Sequence, residues 1–186
     1  MVIGESHYLP TGSTIHETPD SGYSSVQSSL SEQEKGWVHT ERIITESRAE
    51  GFRNKAHSIY RNIAWELNKL GLGYTDYRDS FEHTIYLNYF QRPAYEGKSL
   101  IPYPEDTTIA NEVLEWIVEE EKPELICFTS ALAGRSAYTT LKDMNIPYVV
   151  TPHPGCAWWN RTAKSYGNKR GRDLLVDFLK EQHWIS

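Results

Sequence analysis

The chain has 186 residues, 39% of them hydrophobic and 12% aromatic, which is enough apolar area for one core and gives no sign of two. A formal net charge of −6 argues against broad binding to duplex nucleic acid, which takes a basic surface, and leaves a local basic patch as the remaining route. No apolar run is long enough to span a bilayer, no basic region followed by an apolar stretch opens the chain, and neither Cys127 in a strand-like run nor Cys156 in a loop is expected to form a disulfide, so a cytoplasmic protein is expected.

In chain order, Met1-Val2-Ile3 running into Gly4-Glu5-Ser6-His7 reads as a buried strand that breaks into a glycine-opened loop. The strand is short, so either it is trimmed in this chain or the gene start lies upstream of Met1. Residues 11–32 are rich in Ser, Thr, Gly and Pro without apolar periodicity, and a long flexible loop or insertion is expected at about residues 10–50. Ala56, Ile59, Ile63, Leu67 and Leu70 recur at helical spacing over residues 52–70, with Gly71 and Gly73 as the stop. Residues 84–87 are β-branched and aromatic, hence a strand, and a loop begins near Asn88. Residues 107–121 predict a helix with Ile109, Val113, Trp116 and Ile117 on its apolar face, followed by a buried strand over 125–128. Ser130 is placed to cap a helix reaching about Met144, residues 148–150 form the next strand, and residues 173–182 the last helix. Strands alternating with helices imply an α/β fold with a parallel sheet covered on both faces, whose strand-following loops emerge at one carboxyl edge.

Three of those loops combine His, Asn, a carboxylate and aromatic rings where simple connections use small turn residues. They are Gly4-Glu5-Ser6-His7-Tyr8, the strand end Tyr86-Leu87-Asn88, and His153-Pro154-Gly155. In this order they resemble the motifs of the uracil-DNA glycosylase superfamily, and more narrowly its branch with a Gly-Glu-Ser-His first motif. The resemblance runs from Met1 to about Arg161 and aligns poorly over residues 11–52. It implies a single domain over residues 1–186, a three-layer α/β/α architecture around a mostly parallel four-stranded sheet, and DNA-repair hydrolysis of the N-glycosidic bond of a flipped uracil or modified base.

That chemistry needs a pocket reading the base edge, stabilisation of the departing anionic base and a placed water. Asn88 carries a carbonyl and an amino group that match the adjacent donor and acceptor of a uracil-like edge; an Asx turn is its competing reading. His153 would donate to the base oxygen that gains charge, a task for which the neutral imidazole suffices. Tyr8 would wall the pocket, and Phe90 of the Tyr89-Phe90 pair would grip the base. Where the best-known glycosylases carry a water-orienting aspartate, this chain has Ser6, and Glu5 one place earlier is the substitute general base or partner for the sugar cation, with bonding of backbone amides in the loop as its competing reading; Glu5, Ser6 and His153 are thus the catalytic candidates. Trp158 and Trp159 stand where the family places the wedge that fills the gap left by a flipped base, and at most one of two adjacent rings is expected in the core. Arg161, Lys164, Lys169, Arg170 and Arg172 form a stretch without an acidic residue, suited to phosphates.

No cofactor and no metal is expected: His7, His153 and Cys156 lack the paired spacing of zinc ligands, and an iron-sulfur cluster needs more thiolates than two cysteines supply. The expected partner is single- or double-stranded DNA or a nucleobase-containing ligand, with no membrane; the sequence carries no sign of oligomeric state. The missing aspartate and the acidic balance keep open a non-catalytic protein of the same fold that binds a nucleobase, nucleotide or single strand, and a small-molecule hydrolase using Glu5 and His7 is a third reading.

Overall fold

Alternation along the first strand sends Val2 to one side of the sheet and Ile3 to the other, and each side chain ends in its own apolar layer. A computed structural model describes residues 1–10, 12–13, 18–19, 30–54, 57–71 and 74–185. Its strands are β1 (Val2–Gly4), β2 (Tyr8–Leu9), β3 (Tyr86–Asn88), β4 (Ala94–Tyr95), β5 (Ile126–Phe128) and β6 (Tyr148–Val150). Its α-helices are α1 (Glu32–Trp37), α2 (Thr40–Ala49), α3 (Ser58–Asn68), α4 (Pro104–Glu121), α5 (Ala131–Ser136), α6 (Tyr138–Met144) and α7 (Gly171–Glu181). Four strands form one all-parallel sheet in the order β3-β1-β5-β6, with Gly4 opposite Asn88 and Cys127 opposite Val149. Past its carboxyl edge, β2 and β4 make a second, two-stranded parallel pair.

Both faces of the sheet are covered. One layer joins Val2 and Cys127 to Ile63 and Leu67 of α3, Leu175 and Phe178 of α7, and Trp159. The other joins Ile3, Ile126 and Phe128 to Ala110 and Leu114 of α4 and to Ala133 and Leu141. The expected three-layer α/β/α arrangement is therefore the observed one, and all four strand-following loops do leave the sheet at one end.

Several expectations need correction. The span near 10–50 is not a loop throughout: Ser31 caps α1 through a reciprocal bond with Glu34, and α2 follows directly. Residues 14–17 and 20–29 of that expected loop, like Ala56 and Gly73, lie outside the described residues. The buried face of α4 is Asp106, Ala110 and Leu114, not the face carrying Ile109, Val113 and Trp116, and Trp116 is largely exposed. The shift has a physical cause in Asp106, whose carboxylate receives two bonds from the buried Arg92 guanidinium (2.9 and 2.5 Å) and one from the Tyr103 amide (2.8 Å). An ion pair so enclosed fixes the helix rotation, because turning it out would strand Arg92 in the core. Ser130 does accept from Ala133 N as a cap, but the helix it starts breaks at Ala137 into α5 and α6.

Candidate functional site

The loops after β1, β3 and β6 enclose a cleft of about 640 Å³, a size typical of sites for nucleotide-sized ligands. Ser6, His7 and Tyr8 line it from the first loop, Asn88 from the end of β3, and His153, Gly155 and Cys156 from the third. Asn88 and His153, 65 positions apart in the chain, thus share one hollow.

The sheet register explains how Asn88 reaches it. Tyr86 and Asn88 lie two apart on β3 and therefore on one face, and Gly4 on the neighbouring strand leaves the space they fill. A Cβ on Gly4 would lie 2.4 Å from both the Asn88 Oδ1 and the Tyr86 hydroxyl. The hydroxyl donates to Oδ1 over 3.5 Å, and the Asn88 amide nitrogen has no partner among the described residues. An Asx turn is not what the side chain makes here; the polar contact at this corner comes from Gln91 Nε2 to the Asn88 backbone oxygen.

His153 is held in a defined tautomer. Its Nδ1 accepts from the Gly155 amide at 3.2 Å, so in the neutral ring the proton is on Nε2, which faces the Tyr8 oxygen at 3.4 Å. Burial lowers the imidazole pKa, and the Glu5 carboxylate only partly opposes that, so the ring is neutral at physiological pH. Asn62 of α3 donates to the Pro154 oxygen at 2.8 Å and ties the loop to the helix.

Glu5 and Ser6 are both buried but differ in use. The Glu5 carboxylate accepts from the Ser130 hydroxyl at 2.7 Å and from the Leu100 amide at 3.3 Å, and it does not line the cleft. This placement corrects the expectation of Glu5 as a general base, since both oxygens are engaged and withheld from the hollow. Ser6 does line the cleft, and its hydroxyl has no hydrogen-bond partner among the described residues. His7 bonds Thr40 through Nε2 at 2.9 Å, and burial lowers its pKa to about 4.

Phe90 is not a cleft residue. It is fully buried in the opposite apolar layer with its ring 4.8 Å from that of Tyr89, because β3 ends at Asn88 and the alternation of the strand does not continue to Phe90. Tyr8, Tyr60, Tyr86 and Trp37 contribute aromatic rings to the cleft wall. Trp159 is likewise core, packed under Pro152 and Gly171, so only Trp158, half exposed two residues past Cys156, is placed as a rim aromatic. The basic stretch divides in the same way. Lys169 pairs with Asp177 at 2.7 Å, Arg170 with Asp173 at 2.6 Å and Arg172 approaches Glu66 at 3.9 Å, whereas Arg161 and Lys164 are exposed without an acidic partner among the described residues.

Sequence reasoning missed Trp37 and Ile43, which the α1–α2 segment brings to the cleft, and His57 and Ser58 at the start of α3. It also missed the turn Glu96-Gly97-Lys98-Ser99 after β4, where Gly97 at φ +76° carried the only local signal. No group of three or more His, Cys, Asp or Glu is gathered for a metal ion among the described residues, and His7, His153 and Cys156 form no such group. No helix among the described residues is long and apolar enough to cross a membrane. Compared with protein-family models, curated proteins and solved structures, the chain matches none.

Proposed function

We propose that the protein is a base-excision glycosylase of the uracil-DNA glycosylase type, acting on a flipped uracil or related base. The observation that carries this reading is a shared cleft into which one amide side chain and one neutral imidazole with its proton on Nε2 both open. In such a reaction the bond between the sugar C1′ and the base nitrogen breaks, and the electron pair leaves with the base. The His153 Nε2–H is placed to stabilise the charge that grows on a base oxygen, and a neutral donor does so without first surrendering a buried charge. Asn88 reads the edge, Tyr8, Tyr60 and Tyr86 hold the ring, and the Ser6 hydroxyl, buried and without a partner among the described residues, is the candidate to hold the water that adds to C1′. The Glu5 carboxylate, held by the Ser130 hydroxyl and the Leu100 amide, is the partner for the sugar cation in this reading. Trp158, Arg161 and Lys164 give the nucleic acid its surface contacts, a small positive rim on an acidic protein.

The test is incubation of the purified protein with uracil-containing single- and double-stranded oligonucleotides, followed by cleavage at abasic sites. The expected result is product that disappears in Asn88→Ala and His153→Ala. Absence of product above the Asn88→Ala control on uracil and on a panel of modified bases refutes the enzyme.

One feature favours a second reading, binding of a nucleobase, nucleotide or single strand without catalysis. The carboxylate lining the cleft among the described residues is Glu96, exposed on the turn after β4, whereas Glu5 beside Ser6 is engaged by Ser130 and Leu100. Retention of single-stranded DNA that weakens with salt, without any abasic product, selects this reading over the first.

A further inference from the structure

Resting on the base-reading role of Asn88, we infer that Trp37 is a second aromatic platform of the cleft: it stacks the base next to the one Asn88 reads, so that the ligand is an unpaired strand. Trp37 is the last residue of α1 and lines the cleft, yet 39% of it stays exposed. It makes no ring contact among the described residues. The other cleft rings are already engaged. Tyr60 is buried with its ring centre 5.5 Å from that of Tyr86, and Tyr8 meets the His153 ring edge-on at 6.2 Å. Covering an indole removes a large apolar area from water, and the chain forgoes that gain on a helix with no buried residue.

The ring is exposed but not adrift. Ser31 and Glu34 close a reciprocal cap at the start of α1, and Thr40, three residues after Trp37, bonds His7 of the first site loop at 2.9 Å. The far end of α2 is fastened through Arg48, which donates to the Arg78 oxygen at 2.8 Å and to Asp79 at 3.3 Å. The position of Trp37 is thereby tied to the loop that carries Ser6. A cleft of about 640 Å³ has room for more than one pyrimidine ring, and its free aromatic face lies at the exposed end. Every base has a π-face, so such a platform accepts a neighbour of any sequence. In a duplex that neighbour is paired and stacked within the helix, and Trp37 would have to draw it out. The charge of the chain points the same way: at −6, with a small basic rim, it attracts duplex phosphates weakly, and stacking on a single strand makes up for the phosphate contacts it lacks.

Two trinucleotides test this, each with a central 2′-fluoro-deoxyuridine whose bond to the base resists cleavage. One carries thymines on both sides, and the other carries the same sugars and phosphates without flanking bases. Both are titrated into wild type, Trp37→Ala, Trp37→Phe and Asn88→Ala. The flanking thymines are expected to tighten binding to wild type about tenfold, the size of one stacked base. Trp37→Ala is expected to remove that gain and to bind the base-free trinucleotide as wild type does, while Trp37→Phe, which keeps an aromatic face, retains most of the gain. With a longer uracil-containing oligonucleotide, alone or annealed, wild type favours the single strand and Trp37→Ala loses the preference. No gain in wild type, a full gain in Trp37→Ala, an equal loss for both trinucleotides, or an unaltered strand preference overturns the inference, and the base-reading cleft stands as long as Asn88→Ala weakens both trinucleotides. If Asn88→Ala binds both as wild type does, the base-reading cleft falls, and this inference with it.

Discussion

A methyl group added at Gly4 meets the site at its tightest point. Its Cβ would lie 2.4 Å from both the Asn88 Oδ1 and the Tyr86 hydroxyl, and 3.3 Å from the Tyr86 Cζ, where ordinary contact begins near 3.4 Å. Each oxygen must therefore retreat by about 1 Å, a figure set by these contacts and by the steepness of close repulsion. Neither strand can slide to make room, because Gly4 and Asn88 are paired in register and the Tyr89 and Phe90 amides donate to the Gly4 and Glu5 oxygens. Overpacking of this kind costs about 1–3 kcal/mol of stability. A displacement of about 1 Å in a positioned group costs on the order of 10²-fold in function. Gly4→Ala is expected to lower the urea midpoint modestly and to reduce uracil affinity or excision far more than its stability loss explains, with both read on the same preparation. Unchanged affinity for uracil in a folded Gly4→Ala protein would refute the reasoning that places Asn88 in the reading position.

The adjacent tryptophans separate packing from recognition: Trp159→Ala is expected to lose about 3–5 kcal/mol in chemical denaturation, and Trp158→Ala to unfold like wild type while single-strand affinity, by fluorescence anisotropy, drops by about 1–3 kcal/mol. Wild-type affinity in Trp158→Ala removes that ring from the nucleic-acid surface. Arg92→Met alone leaves the Asp106 charge buried and unpaired, and denaturation is expected to register about 3–5 kcal/mol, most of it recovered in the Arg92→Met/Asp106→Leu pair; an additive double variant contradicts the ion pair as drawn. The low His7 pKa makes the folded state bind fewer protons than the unfolded chain between pH 6.5 and about 4. Stability present above pH 6.5 is therefore lost as pH falls through that window, by up to about 3 kcal/mol, and His7→Asn should flatten this part of the pH–stability profile. A profile identical to wild type assigns the acid sensitivity elsewhere.

The carboxyl-edge placement of the three loops was readable because buried parallel strands are continuous apolar runs, and the motif residues begin where those runs stop. Asn88 and His153 were readable for the same reason: Asn88 is the last residue of β3 and His153 lies three residues past β6, each a polar residue where an apolar strand ends at the site edge. What escaped the sequence are features set by partners far along the chain. The rotation of α4 depends on Arg92, which local periodicity in residues 107–121 does not contain. The engagement of Glu5 depends on Ser130 and Leu100, so a carboxylate that looks like a base beside Ser6 is already occupied. Phe90 and Trp159 count as site rings by their neighbours in sequence, but both lie beyond strand ends, where the turn of the chain carries them into the core. Trp37 and Ile43 reach the cleft only because α1 and α2 fold back over it, and Ser, Thr and Pro before them mask the capping signal at Ser31 until the Glu34 partner is seen.

The most direct measurement is a uracil titration of protein labelled in its Asn and His side chains, observed by NMR. The account predicts that the Asn88 amide and the His153 imidazole move together and saturate with one dissociation constant, the His153 ring staying neutral throughout. Movement of only one of the two, or saturation at separate concentrations, would mean that the amide and the imidazole do not serve a common ligand.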